Sequence, residues 1–330
     1  MFFFTLRRVL ASLLVLLVSS FLVFSLCAAS FDPLAKFRQQ QPPPTQEFLD
    51  DVAHRLGVDQ PFPVRYWHWL TGVLHGDFGL TVNNTEVTAQ LWGRVAVTGR
   101  MIILAVVLAV LLAIVVGVLG AVRQYKFSDY ATTMLAYVLI ALPTFWFATL
   151  LKQYLAVELN GLVGGKVFET IGEQSAGIQL TATSQWEIWK DRLAHLVLPT
   201  ISLALLSFAS WSRFQRASML DVLGSDYLRL ARAKGLTYRR TVWKHGLRNA
   251  LIPLTTVVAL GIGTLFGGAI ITEQVFAWNG MGRYLLQDGI GNNDINVVLG
   301  WLMVSAFFVI LFNLIADLLY AVLDPRIRLS

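Results

Sequence analysis

The chain has 330 residues, of which 56% are apolar and only 14% charged, with a mean hydropathy of +0.62. Soluble domains run near 45–50% apolar and about 25% charged, so a water-covered globular surface is excluded and the surplus apolar residues must face lipid. A single cysteine, Cys27, rules out an internal disulfide scaffold and a cysteine-built zinc site. The net charge of +6, with a pI near 9.5, turns on which side of a membrane holds the positive residues.

Six stretches approach the roughly 20 apolar residues that a spanning helix needs. They are Val9–Ala28, Met101–Val122, Ala131–Leu155, Leu193–Trp211, Ala250–Ile271 and Val297–Val322. The first follows Arg7 and Arg8, as a secretory signal would. Its apolar core is longer than the roughly 7–15 residues of a signal, and Leu26 is not the small residue that a lipoprotein cleavage site wants before its cysteine, so it is read as an uncleaved helix.

Residues 29–98 begin with an extended spacer at Gln39–Pro44. Helical spacing follows over Thr45–Gly57, then an aromatic amphipathic stretch over Pro63–Leu74, and Gly76-Asp77-Phe78-Gly79 marks a turn. This is read as a small folded cap rather than a loose loop. Residues 156–192 are mildly acidic and offer no spacing that translates into chemistry.

Six helices put the N-terminus, Arg123–Tyr130, Ser212–Asn249 and the C-terminal tail on one side, with 15 basic residues against four acids. The other side holds nine basic residues against 15 acids. The positive-inside rule then places both termini in the cytoplasm. The fold expected is an all-α membrane protein of six transmembrane helices, with an outer insert after the first. Its parts are a helix at 1–28, a cap at 29–98 and a transmembrane domain at 99–330.

Ser212–Asn249 holds nine of the 26 basic residues. Within it, Asp226–Gly235 has the makings of a short helix, with Ser225 or Asp226 as N-cap and Gly235 as a positive-φ stop. A second short helix is expected over Tyr238–Leu247, making with the first a rigid docking knob. Ala231 and Ala233 permit close approach, and the basic residues, beyond their topological role, suit a protein partner.

Asp226–Pro253, read as Asp-Tyr-Leu-Arg-Leu-Ala-Arg-Ala-Lys-Gly-Leu through His-Gly-Leu-Arg-Asn-Ala-Leu-Ile-Pro, resembles the coupling loop of permease subunits of binding-protein-dependent ABC importers. The likeness is to the B-type permease of the dipeptide, oligopeptide and nickel branch. Gly76-Asp77-x-Gly79, Thr272-Glu273-x-Val275-Phe276, Gly280-Met281-Gly282-Arg283 and Asp317–Arg326 are similar to other signatures of that branch, in family order. The chain departs from the pattern at three places. Arg229-Leu230-Ala231 stands where the general motif opens Glu-Ala-Ala, Asn279 stands where the branch has proline, and the run Gln39–Pro44 is an addition.

The resemblance implies a type I importer permease in a bacterial inner membrane. Its partners would be a second homologous permease, one or two cytoplasmic ABC ATPases and an extracytoplasmic solute-binding protein. It implies that Asp226, Tyr227, Arg229, Ala231, Arg232, Ala233, Lys234, Gly235 and Arg239 dock the ATPase. ATP and Mg would sit on that partner, for this chain has no phosphate-binding loop: Gly165-Lys166 is followed by valine and has Asn160 where the first glycine belongs. No cofactor or metal is expected on the chain itself. The cargo would be a peptide, with nickel or another small solute as the alternative.

Pro143, Pro199 and Pro253 are expected to interrupt membrane helices, and Gly263 and Gly267 to give a small-residue face. Each is a candidate for the pathway or for helix packing, and so is the intramembrane Asp317, with Asn313 at i−4. Two other classes are disfavoured. An intramembrane enzyme lacks its motifs, and the histidines at 54, 68, 75, 195 and 245 are scattered. A gradient-driven transporter wants charged residues at mid-bilayer depth, where only Asp317 comes near.

Overall fold

The structure, a computed structural model, describes residues 2–169 and 171–323. Among these the chain is built from helices, and the sheet-like pairing consists of an isolated bridge between Leu80 and Glu86.

Helix α1 (Phe2–Ser30) leaves Leu10, Leu13, Leu14 and Val15 more than half exposed, as a helix bathed in lipid should. A single turn, α2 (Ala35–Arg38), precedes the proline run. Helix α3 (Gln46–Arg55) starts at Thr45, whose hydroxyl accepts the Phe48 N–H at 3.3 Å. Helix α4 (Phe62–Leu74) carries Pro63 in its first turn, where a missing N–H costs nothing. Phe62, Tyr66 and Trp69 of α4 meet Phe21 and Phe24 of α1 with ring centroids 5.2–5.9 Å apart. The cap segment is therefore folded onto α1. The turn at Gly76–Gly79 takes positive φ at both glycines, and Asp77 accepts the Gly79 N–H at 2.8 Å.

Helix α5 (Val87–Val122) runs 36 residues. After it come α6 (Phe127–Ala141) and α7 (Thr144–Leu151), the latter continuing through a π-wound Lys152–Glu158 into α8 (Leu159–Val163). The single span expected over Ala131–Leu155 is broken, with a bend of 108° where Leu142 and Pro143 take extended backbone. Proline disfavours helical backbone in the residue before it, and that is what happens at Leu142. Lys152, a charge near the end of that expected span, donates to the Val275 carbonyl at 2.9 Å.

A turn of helix, α9 (Ile178–Thr181), leads to α10 (Gln185–Leu223), which at 39 residues reaches well beyond the expected Leu193–Trp211 at both ends. Next come α11 (Asp226–Ala233), α12 (Tyr238–Arg240), a π-wound Thr241–Gly246 and α13 (Leu247–Gly268). The chain closes with α14 (Ile270–Val275), α15 (Met281–Tyr284), a π-wound Leu285–Ile290 and α16 (Ile295–Leu323). Among the described residues, five helices are long and apolar enough to cross a membrane, or six if α6 and the helix after its bend count as one span.

Two compact units form. The first takes the chain up to Gly99 with Asn279–Ile310; the second takes Arg100–Trp278 with the chain from Leu311 onward. The first unit centres on Phe24, Cys27, Trp69, Ile295 and Leu299. In the second, Val118, Ala121, Met219, Val242 and Ala250 pack together, and Ala148, Ala156, Leu198 and Phe276 form a separate cluster. Gly117 permits the first of these: a Cβ there would lie 2.8 Å from the Ser212 carbonyl oxygen of α10.

Candidate functional site

The basic segment after α10 forms the most distinctive surface of the second unit. Along α11, Leu228 is fully buried, whereas Asp226, Tyr227, Arg229, Leu230, Arg232 and Ala233 are exposed and Ala231 is half-buried. One anchor thus holds an eight-residue helix whose remaining faces are available to a partner. Leu228 packs towards Gly246, and Met219 closes over the same glycine, where a Cβ would lie 3.1 Å from the Met219 methyl.

The helix ends on a Schellman motif. The Gly235 N–H donates to the Arg232 carbonyl at 2.9 Å and the Leu236 N–H to the Ala231 carbonyl at 3.3 Å, with Gly235 at φ +85°. These bonds satisfy carbonyls that an abrupt helix end would strand. At the other end Ser225 occupies the N-cap position, but its hydroxyl donates back to the Val222 carbonyl rather than capping. Asp226 pairs instead with Arg229, one turn on.

The second short helix expected over Tyr238–Leu247 is not a separate element. Helical backbone runs from Tyr238 into α13 without a break, because Gly246 takes φ −68° and is buried in the core rather than punctuating a turn. The knob is therefore one helix, α11, joined through Lys234–Thr237 to the root of α13. Arg232 lies over the Tyr238 ring at 4.8 Å and bridges the two. Lys234, Gly235 and Arg239 are exposed on the same connection.

The candidate pathway residues divide. Pro143 interrupts its helix; Pro199 and Pro253 sit inside unbroken α10 and α13, which corrects the expectation for both. Each merely lacks the N–H that would reach the carbonyl four residues earlier. Gly263 is buried, Gly267 lies in α13 with its surroundings outside the described residues, and Asp317 is half-buried on α16. The Asp324-Pro325-Arg326 end of the last signature also lies outside the described residues.

The sequence reading passed over other features. Asp129 and Arg216 form a bidentate pair across 87 positions, with Nε to Oδ1 at 2.6 Å and the second bond at 2.7 Å. Gly120 makes room for it, since a Cβ there would lie 3.2 Å from both side chains. In the first unit a cavity of about 300 Å³ is lined by His54, Arg65, His68, Asp77 and Asp294 among others. Burial pushes the Asp294 carboxyl up, while the N–H groups of Val82 and Val297 donate to it. In the second unit, Glu169, Asp191 and His195 form a group suited to a metal ion, although no metal ligands were expected. The Asp191/His195 half was legible as i,i+4 spacing on one helix face.

Residues 109–329 match the family described as binding-protein-dependent transport system inner membrane component, and residues 1–93 match the N-terminal region described for such membrane components. The chain is 42% identical over 324 residues to the oligopeptide transport system permease protein OppB of Mycobacterium tuberculosis, covering 98% of each chain. It is 36% identical over 325 residues to the oligopeptide transport system permease protein AppB of Bacillus subtilis, again covering 98% of each. To the dipeptide transport system permease protein DppB of Escherichia coli it is 38% identical over 282 residues, 83% of each chain. A solved structure of the MetNI methionine ABC transporter, facing inward, matches with a TM-score of 0.54 at 18% identity, over 71% of this chain and 96% of that one. At that identity the likeness is one of fold.

Proposed function

The chain belongs to the family of binding-protein-dependent transport system inner membrane components, and from that premise we propose that it is a transmembrane permease subunit of an ATP-driven peptide importer. With a second, homologous permease it forms the passage, and a solute-binding protein on the outer side delivers the peptide. Peptide is favoured over nickel because relatives matched along 83–98% of their length are named as oligopeptide and dipeptide permeases. Both termini face the cytoplasm of a bacterial cell in this reading, which puts α11 on the cytoplasmic side.

The observation that carries the reading is the build of α11: a single buried anchor, Leu228, and an exposed basic remainder closed by Gly235. An element so built transmits a push rather than absorbing it. When partner ATPases close on Mg-ATP, a groove that holds α11 would move α10 and the root of α13, which Leu228 meets at Gly246 beside Met219. Hydrolysis belongs to the partners, and this chain is a transport subunit.

The test is uptake of a labelled peptide by cells lacking the chain and complemented with it. Complementation should restore uptake that depends on ATP and on the solute-binding protein. Restored uptake that survives loss of every ATPase partner, yet collapses with the ion gradient, would overturn the proposal in favour of a secondary transporter.

A further inference from the structure

His195 sits on α10, its imidazole 2% exposed. Its Nδ1 lies 2.9 Å from the Asp191 carbonyl oxygen, one turn earlier. A carbonyl can only accept, so Nδ1 carries the proton and Nε2 of the neutral ring keeps its lone pair. Nε2 points at Glu169 Oε2 from 3.8 Å, beyond hydrogen-bond reach, and makes no hydrogen bond to any described residue. Asp191 Oδ2 lies 3.7 Å from Nδ1, on the protonated side of the ring. One ligand atom from each of the three residues lies within 4.8 Å of the others.

Nε2 and the Glu169 carboxylate thus face each other with no proton between them, while the Asp191 carboxylate stands beside Nδ1. Donors about 2.1 Å from a tetrahedral cation stand roughly 3.4 Å apart, so small side-chain rotations bring this set to bonding distance. Glu169 can supply such a rotation, since it lies outside any helix and is only half-buried. Its neighbour Lys166 reaches it at 3.5 Å from solvent and can swing away.

The surroundings also have the character of a metal site. Asp191 is held from behind by Ser175, whose N–H donates to Oδ2 at 2.8 Å and whose hydroxyl donates to Oδ1 at 2.6 Å. A carboxylate fixed by hydrogen bonds, beside an imidazole fixed through its other nitrogen, is the outer shell that orients metal ligands.

We propose that Glu169, Asp191 and His195 bind a divalent first-row transition cation of the Zn²⁺ type, linking the segment after α8 to α10. An imidazole with two carboxylates favours such a cation over Mg²⁺ or Ca²⁺, which prefer all-oxygen shells. The inference rests on geometry within the second unit and stands independently of the transport reading.

The experiment uses the full chain, purified in detergent through a tag without histidines, stripped with chelator and dialysed against micromolar Zn²⁺. One Zn²⁺ per chain is expected, and Co²⁺ in its place should give visible absorption bands. His195→Ala should lose both signals. Glu169→Gln, an alteration outside the helices, should lose the stoichiometric Zn²⁺ while eluting like the wild type. Ser175→Ala should weaken binding by about ten-fold or more. Wild-type chain without stoichiometric Zn²⁺ would overturn the proposal, as would Zn²⁺ binding unchanged in Glu169→Gln. If His195→Ala does not yield folded protein, Glu169→Gln and Ser175→Ala decide the matter in the same way.

Discussion

Arg216 of α10 grips Asp129 of α6 through two parallel hydrogen bonds of 2.6 and 2.7 Å, with the aspartate side chain 3% exposed and the arginine 28%. The fork of a guanidinium suits both carboxylate oxygens, so geometry as well as charge holds the two helices together. Removing one partner leaves the other desolvated. Arg216→Ala is expected to lower stability in detergent by about 3 kcal/mol, measured by denaturant unfolding. Asp129→Asn with Arg216→Ala should cost less than the sum of the single changes. Additive costs would show that the pair does not act as a unit.

Leu228 is the sole fully buried side chain of α11. Leu228→Ala removes that anchor and is expected to cost about 2–4 kcal/mol locally. The measurement is hydrogen exchange of the backbone at Asp226–Gly235, which should quicken while α13 stays protected. Unchanged protection of α11 would mean that something other than Leu228 holds it.

Gly235 stands at φ +85° with nothing within 4 Å of where a Cβ would sit. The constraint there is backbone conformation, not space, and Asn and Asp are the residues that tolerate it best. Gly235→Asn should therefore keep most ATP-dependent uptake. Gly235→Asp, of nearly the same shape, places a negative charge among Arg232, Lys234 and Arg239 and should abolish uptake with membrane insertion intact. Equal uptake by the two variants would remove charge complementarity from the docking account.

His54 and Asp59 pair at 2.9 Å in the cap. The hydrogen bond and charge of Asp59 raise the His54 pKa, and those of His54 lower the Asp59 pKa. The pair therefore supports the α3 end between the two values. Its contribution fades as pH rises through the raised His54 value, and again as pH falls through the lowered Asp59 value. An NMR titration should show His54 titrating above an ordinary histidine and returning to normal in Asp59→Asn. An unchanged titration in that variant would refute the pairing.

Much of the scaffold was legible because membrane spans need only sustained apolarity, which a single sequence displays. The cap helices were legible too, through Thr45 and the aromatic amphipathic stretch Pro63–Leu74. Helix ends beyond the bilayer were not. Arg213 and Arg216 read as loop charges, yet α10 runs past them to Leu223, with Arg213 stacked on Tyr137 and Arg216 paired with Asp129. Punctuation residues misled in the same way. Pro199 and Pro253 look like breaks in isolation, but packing holds each in helical backbone, whereas Pro143 does break its helix. Glu169 joined Asp191 and His195 through a loop whose path no periodicity reveals.

The central claim is that the chain couples to partner ATPases through α11. It is tested most directly by reconstituting the chain with its second permease, ATPases and solute-binding protein, and measuring peptide-stimulated ATP hydrolysis with wild-type chain and with Gly235→Asp. The account predicts stimulation by peptide-loaded binding protein in the wild type and its loss in the variant, with the partners' basal hydrolysis retained. Full stimulation in Gly235→Asp, in an assembly that still imports peptide, would contradict it.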